Sequence, residues 1–153
     1  MKLSKNFSLS ELTKSQSATR LGIDNTPSLT IIDNLQALVD NILQPVRDAH
    51  GTVTVTSGYR SPDLNAAIGG SRNSDHTRGQ AADFEVATMS NKALAEWIRD
   101  NLKFTQLILE FPSKTDPSAG WVHCSYNAKD LKCQVLTATR VNNRVVYQAG
   151  LVL

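Results

Sequence analysis

Ser74-Asp75-His76-Thr77-Arg78-Gly79-Gln80-Ala81-Ala82-Asp83-Phe84-Glu85-Val86 is the stretch on which the reading of this chain turns. His76 and Asp83 lie seven residues apart, a separation that can put both on one face of a helix. Gly79 between them, and the strand-leaning flank Ala81–Val86, argue that the chain bends instead. Asp83 then projects from a strand, and His76 comes from the loop before it. That loop belongs to a long segment, Ser57 to Gly79, dense in Gly, Ser, Asn, Asp and Pro. Loops of this length inside a compact domain are usually functional.

Further along, Gly120-Trp121-Val122-His123-Cys124-Ser125-Tyr126 reads as another strand. Period two places Trp121, His123 and Ser125 on one face and turns Cys124 to the other. His76, Asp83 and His123 would then converge from two segments on one edge of a sheet. Two imidazoles and a carboxylate are a recurring set for zinc that keeps its fourth position open to water. The chain has only three histidines, so such a site uses most of them. Spacing alone leaves the alternative open: a strand histidine is often a hydrogen-bonded structural residue, and Asp83 can cap a loop. His50 is set aside as an exposed residue beside the helix-ending Gly51, where positive charge meets a helix C-terminus favourably.

The remaining elements follow from capping and periodicity. Ser8-Leu9-Ser10-Glu11 has the form of a capping box opening a short helix to about Lys14, and a polar stretch follows it. After Pro27-Ser28, apolar residues from Ile31 to Val46 recur every three or four positions, the mark of a longer helix. Pro45 should kink it or end its first part, and Gly51 should stop it. Thr52–Thr56 alternates as a strand, and Ser61-Pro62 opens a short helix over Asp63–Ile68. Ser90 caps a helix bearing Leu94, Trp97, Ile98 and Leu102. Phe104–Glu110, Cys133–Arg140 and Arg144–Gln148 read as strands, the last two joined by a turn at Asn142-Asn143. Helices first and strands later predict an α+β fold with a mostly antiparallel sheet and helices packed on it.

Composition bounds the function. The chain has 153 residues, expected to form one domain over 1–153, with 41% hydrophobic residues, enough for a core. A net charge of +2 without any run of Lys or Arg argues against nucleic-acid binding. No apolar run behind Met1-Lys2-Leu3-Ser4-Lys5 is long enough for a secretory signal, and none elsewhere for a membrane span. A soluble product of the cytoplasm is expected. Cys124 and Cys133 are read as reduced thiols rather than a disulfide framework.

Taken in order, Ser57-Gly58-Tyr59-Arg60-Ser61-Pro62, Leu64-Asn65-Ala66-Ala67-Ile68-Gly69-Gly70, Ser74-x-His76-x-x-Gly79-x-Ala81-x-Asp83 and Trp121-x-His123 closely resemble the zinc D-alanyl-D-alanine carboxypeptidase family. That family includes L-alanyl-D-glutamate peptidases used by bacteriophages as endolysins. The resemblance spans about residues 28–126. It implies the fold of those carboxypeptidases, which is hedgehog-like, with zinc at the sheet edge held by His76, Asp83 and His123. It also implies that Arg60 points into the site, where its planar, always-charged fork suits the oxyanion of a tetrahedral intermediate. Ser74 would lie near the metal and hydrogen-bond a ligand or the substrate.

The general base is where this chain departs from many relatives, which carry an acid two or three positions before the last ligand histidine. Gly120 and Trp121 stand there instead. One branch of the family has a Gln-Leu-Ile-x-Glu strand end before Trp-x-His, and Gln106-Leu107-Ile108-Leu109-Glu110 matches it. Glu110 is therefore the first candidate base, with Asp116 in the following loop and Glu85 as the alternatives. The function implied is a zinc peptidase cleaving peptidoglycan stem peptides, acting as a monomer. An endolysin of a phage or prophage is the expected setting, made in the host cytoplasm and acting on the wall after release. The alternative is a non-catalytic zinc-bound module of wall binding or virion structure on the same scaffold.

Overall fold

The computed structural model describes residues 1–153. Its first half is helical because side chains that cap and side chains that pack fall at helical spacing. α1 (Leu9–Thr13) opens on the Ser8/Glu11 capping box, and α2 (Gln16–Leu21) opens on Ser15 and ends at the left-handed Gly22. The sequence reading passed over α2 as a polar stretch. α3 (Leu29–Leu38) starts at Ser28, whose hydroxyl accepts from Ile31 N–H, and it continues through a π-turn, Val39–Leu43, into α4 (Gln44–His50).

The π-turn is the answer to Pro45. Proline has no N–H to return to the carbonyl four residues back. The helix widens by one residue just before it, so that Gln44 N–H reaches Val39 O. The apolar stripe runs through this turn unbroken: Leu35, Leu38, Ile42, Leu43 and Val46 are fully buried. Each such side chain is worth about 1.5–3 kcal/mol against exposure.

β1 (Val53–Ser57), α5 (Pro62–Ala67) and a short 3₁₀ turn, Asp75–Arg78, lead to β2 (Ala81–Val86). α6 (Asn91–Asn101), capped by Ser90, precedes β3 (Gln106–Glu110), β4 (Trp121–Ser125), β5 (Gln134–Val141) and β6 (Arg144–Ala149). The strands form one six-stranded sheet in the order β1-β2-β4-β3-β5-β6. The expected α+β mixture is present, but the sheet is mixed rather than mostly antiparallel, because β3 and β5 run parallel. The cause is the path of the chain. β4 runs antiparallel to β3 and so ends where β3 begins. Residues 126–133 then enter the free edge of β3 at that same level, pairing Gln134 with Gln106.

Alternation decides which face does what. Ala82, Phe84 and Val86 of β2, Leu107 and Leu109 of β3, and Val122 and Cys124 of β4 join the helix side chains in one core cluster. The intervening residues, Asp83, Ile108, Glu110, Trp121, His123 and Ser125, must face away from it. The residues expected to converge are therefore not at a sheet edge. Asp83 and His123 stand on β2 and β4, two inner strands, on the face the helices leave open, and His76 comes from the 3₁₀ turn just before β2. No helix is long and apolar enough to cross a membrane.

Candidate metal centre and its cleft

His76 is held by a turn satisfied at both ends. Ser74 Oγ accepts from His76 N–H at 3.2 Å and Thr77 Oγ1 donates to Ser74 O at 2.7 Å. Gly79, at φ +69, closes the turn, and Gln80 N–H returns to Asp75 O at 3.0 Å. Only glycine suits Gly79 on both counts: the left-handed φ, and packing so close that a Cβ would stand 2.9 Å from Ile31 Cγ2. The imidazole itself is buried, 3% exposed, with Nδ1 2.7 Å from Gly58 O. A carbonyl can only accept, so Nδ1 carries the proton and Nε2 presents its lone pair. That lone pair lies 3.4 Å from Asp83 Oδ1.

Asp83 and His123 are direct cross-strand partners on β2 and β4. His123 Nδ1 lies 2.9 Å from Asp83 Oδ1, and the two imidazole rings meet edge to face with centroids 5.2 Å apart. The three donor atoms all lie within 4.8 Å of one another, close enough to share a metal ion. The pair also polarises its own titration. The Asp83 carboxyl is held well below the usual range: burial opposes ionisation, but the hydrogen bond and charge of His123, joined by those of His76 whenever its Nε2 is protonated, outweigh it. His123 is raised, its interactions with Asp83 and the nearby Glu110 and Asp75 outweighing the cost of burying its charge. Two nitrogens and one carboxylate oxygen, with the ring of His76 fixed from behind by a carbonyl, fit a tetrahedral metal with one position left for water or substrate.

The donors sit in a cleft of about 430 Å³ that also holds Arg60, Ser74 and Glu110. Glu110 ends β3 opposite Trp121, one alternation beyond Ile108, the partner of His123. Burial is the main cause that raises its carboxyl, and Asp83 adds to it. His123, the nearby indole N–H of Trp121 and Arg60 pull the other way. That indole N–H leans toward the carboxylate from outside hydrogen-bonding geometry and has no other partner. Arg60 is anchored by its backbone N–H to His76 O at 3.1 Å, and its guanidinium donates to Ser74 Oγ at 3.3 Å. Its Nε is buried without a partner. Burial lowers the guanidinium, while Asp83 and Glu110 favour its charge.

Other sequence candidates fall outside. Asp116 is exposed and accepts hydrogen bonds from Ser118 N–H and Oγ at 3.0 and 2.7 Å, away from the cleft. Glu85 shares the strand face of Asp83 but is taken by Asn91 Nδ2 at 3.0 Å and lines a different cleft. Asp75 reaches the cleft rim while paired with Arg78. Cys124 is buried in the core, where desolvation pushes its thiol up, and Cys133 is exposed. His50 is half-buried rather than exposed, packed edge-on against Trp97 at 4.6 Å. The sequence reading missed Phe111, Val145 and Tyr147, which complete the cleft wall. Strand register could have found the last two, but register across a parallel pair is invisible to local pattern.

Residues 5–125 match the Peptidase M15 family. The chain belongs to that family. In this M15 chain the match takes in every residue of the His76–Asp83–His123 cluster as well as Arg60, Ser74 and Glu110, and it stops before β5 and β6. Over 68 residues it is 40% identical to a zinc D-Ala-D-Ala carboxypeptidase of Streptomyces albus G, an alignment covering 43% of this chain. The aligned part is 26% of that protein's length, so this M15 chain matches about a quarter of that relative.

Proposed function

We propose that this chain is a zinc-dependent peptidase acting on peptidoglycan stem peptides, with His76, Asp83 and His123 as the zinc ligands. The observation that carries the reading is the convergence of three donor atoms within 4.8 Å in a cleft that also holds a raised carboxyl and a half-buried guanidinium. Family membership supports the hydrolytic class, and the named relative supports zinc and a cell-wall substrate. Residues 1–153 act as one catalytic unit in this reading.

When bound, zinc supplies a Lewis acid for the scissile carbonyl and brings the acidity of water near neutrality. Glu110 is the base. Its carboxylate lines the cleft of the three ligands, on the strand paired with that of His123, so it can take a proton from water and pass it to the leaving amine. Arg60 faces the carbonyl oxygen as negative charge grows there. It is preorganised by His76 O and Ser74, so little rearrangement is needed at the moment of reaction. Ser74, with its hydroxyl already oriented toward Arg60, offers the substrate a hydrogen bond.

Either cleavage next to D-alanine or cleavage of the L-alanyl–D-glutamyl bond suits this chemistry, and a phage or prophage endolysin is the setting we favour. Purified peptidoglycan incubated with the zinc-loaded protein is expected to release fragments with new amino and carboxyl termini, which mass spectrometry would assign to one bond. Walls that gain no new termini would leave the non-catalytic module as the better reading.

A further inference from the structure

The β5–β6 hairpin lies beyond the residues matched by the family, yet it forms one side of the metal cleft. Val145 and Tyr147 of β6 line that cleft together with Phe111 and Trp121. Register places them there. Trp121, Glu110, Ala138 and Tyr147 are successive cross-strand partners on β4, β3, β5 and β6. Directly opposed residues share a face, so Tyr147 stands on the face of Glu110, with only the methyl of the fully buried Ala138 between them. Val145, two residues before Tyr147, points the same way.

β6 is the edge strand and is exposed on both faces; on the cleft side this leaves Tyr147 55% and Val145 42% exposed, open to a peptide lying in the cleft. The backbone beside Glu110 is what sets this wall apart from an ordinary edge strand. Phe111, the residue after Glu110, has φ +53, a conformation that bulky side chains rarely adopt. The ring is clamped in that position. Trp121 meets it edge-on at 5.5 Å, and the guanidinium of Arg140, on the hairpin, lies 4.6 Å from its centroid. Gly120 makes room, because a Cβ there would run into the backbone of Glu110 and Phe111. Backbone strain of this kind persists where the surroundings hold it, often at a ligand clamp.

We infer that the hairpin is the substrate-selecting wall of the cleft. Tyr147, Val145, Phe111 and Trp121 pack against small apolar side chains, such as alanyl methyls, beside the scissile bond. The extended peptide lies between this wall and the polar side formed by Arg60 and Ser74. Tyr147 is the specificity-determining residue, since a rigid aromatic ring gives contact area at low entropic cost. The inference rests on the peptidase reading above and assigns the side of the cleft that its chemistry leaves undescribed.

Steady-state kinetics on stem peptides test it, using zinc-loaded wild type, Tyr147→Ala and Tyr147→Phe, with bound zinc measured in each. In Tyr147→Ala, KM is expected to rise about tenfold with kcat within about twofold and zinc complete, and Tyr147→Phe is expected to restore most of the loss. An unchanged KM in Tyr147→Ala, or a fall in kcat alone, overturns the inference. Calorimetric titration of the same peptides into zinc-loaded Glu110→Gln, with and without Tyr147→Ala, separates this result from the fate of the peptidase reading. If wild type cleaves nothing while the peptides bind Glu110→Gln about tenfold more tightly than the double variant, the peptidase reading falls and the wall stands. Equal affinity, or no binding by either, overturns the wall.

Discussion

Burial raises the Glu110 carboxyl, and that one shift has a kinetic and a thermodynamic consequence. A base works only when deprotonated, so kcat/KM should fall as pH drops through the Glu110 pKa, which a divalent cation in the cleft would pull down from where burial sets it in the metal-free protein. Glu110→Gln should keep its zinc while kcat falls by about 10²- to 10⁴-fold. For stability the sign is reversed. The folded-state pKa lies above the unfolded one, so the folded form binds the proton more tightly, and ionising the group costs stability. Metal-stripped Glu110→Gln is therefore expected to melt above metal-stripped wild type at pH 8, with the gap closing toward pH 4. A variant that melts lower at pH 8 would contradict the burial argument. His76→Ala should lose zinc and turnover together, and stoichiometric zinc in that variant would remove His76 from the ligand set. Arg60→Lys keeps the charge but not the planar fork, so kcat is expected to fall by about 10²-fold with KM little changed.

One glycine shows how an element delivers a residue. Gly79 ends the turn bearing His76 at φ +69, and a Cβ there would stand 2.9 and 3.0 Å from Ile31 Cγ2 and O. Gly79→Ala should cost about 2 kcal/mol in urea unfolding and weaken zinc affinity, because the turn and α3 must part to admit the methyl. The sequence made this element legible in outline: a glycine between a polar loop and a β-leaning run predicted the bend, and β2 spans Ala81–Val86 as expected. The caps at Ser8, Ser28, Ser61 and Ser90 were equally legible, because a capping side chain acts within three residues. What the sequence hid was non-local. α2 has little apolar periodicity and is fixed by its cap and by the burial of Ala18. The π-turn depends on Pro45 and on the packing of the stripe around it. The parallel pairing of β3 with β5 depends on which edge of β3 the returning chain finds free, and with it went the identity of the cleft's far wall.

At the scale of the whole molecule, the cluster between His76 and His123 depends on residues that come after it. β5 pairs with β3 from Gln106 to Glu110, and Phe111 N–H donates to Ala138 O at 2.8 Å just past Glu110. The buried Thr137 ties the end of the chain back, donating to Gly150 O at 2.7 Å and accepting from Val152 N–H at 2.9 Å. A chain ending at Lys132 would keep every residue matched by the family and all three candidate ligands, but β3 would become an edge. Leu107, Ile108 and Leu109 are buried, so that edge would be apolar and unpaired along its length, a template for aggregation. The truncated chain is expected to elute as aggregate in size-exclusion chromatography and to melt well below the full chain. Its soluble fraction should cleave stem peptides about a hundredfold more slowly, because the Glu110 end of β3 is no longer held against the metal centre. Tyr147→Ala, by contrast, should melt like wild type, since its side chain is exposed. The pair of experiments separates two duties of one hairpin, closing the sheet and facing the substrate. A monodisperse 1–132 chain with full activity would show that it performs neither.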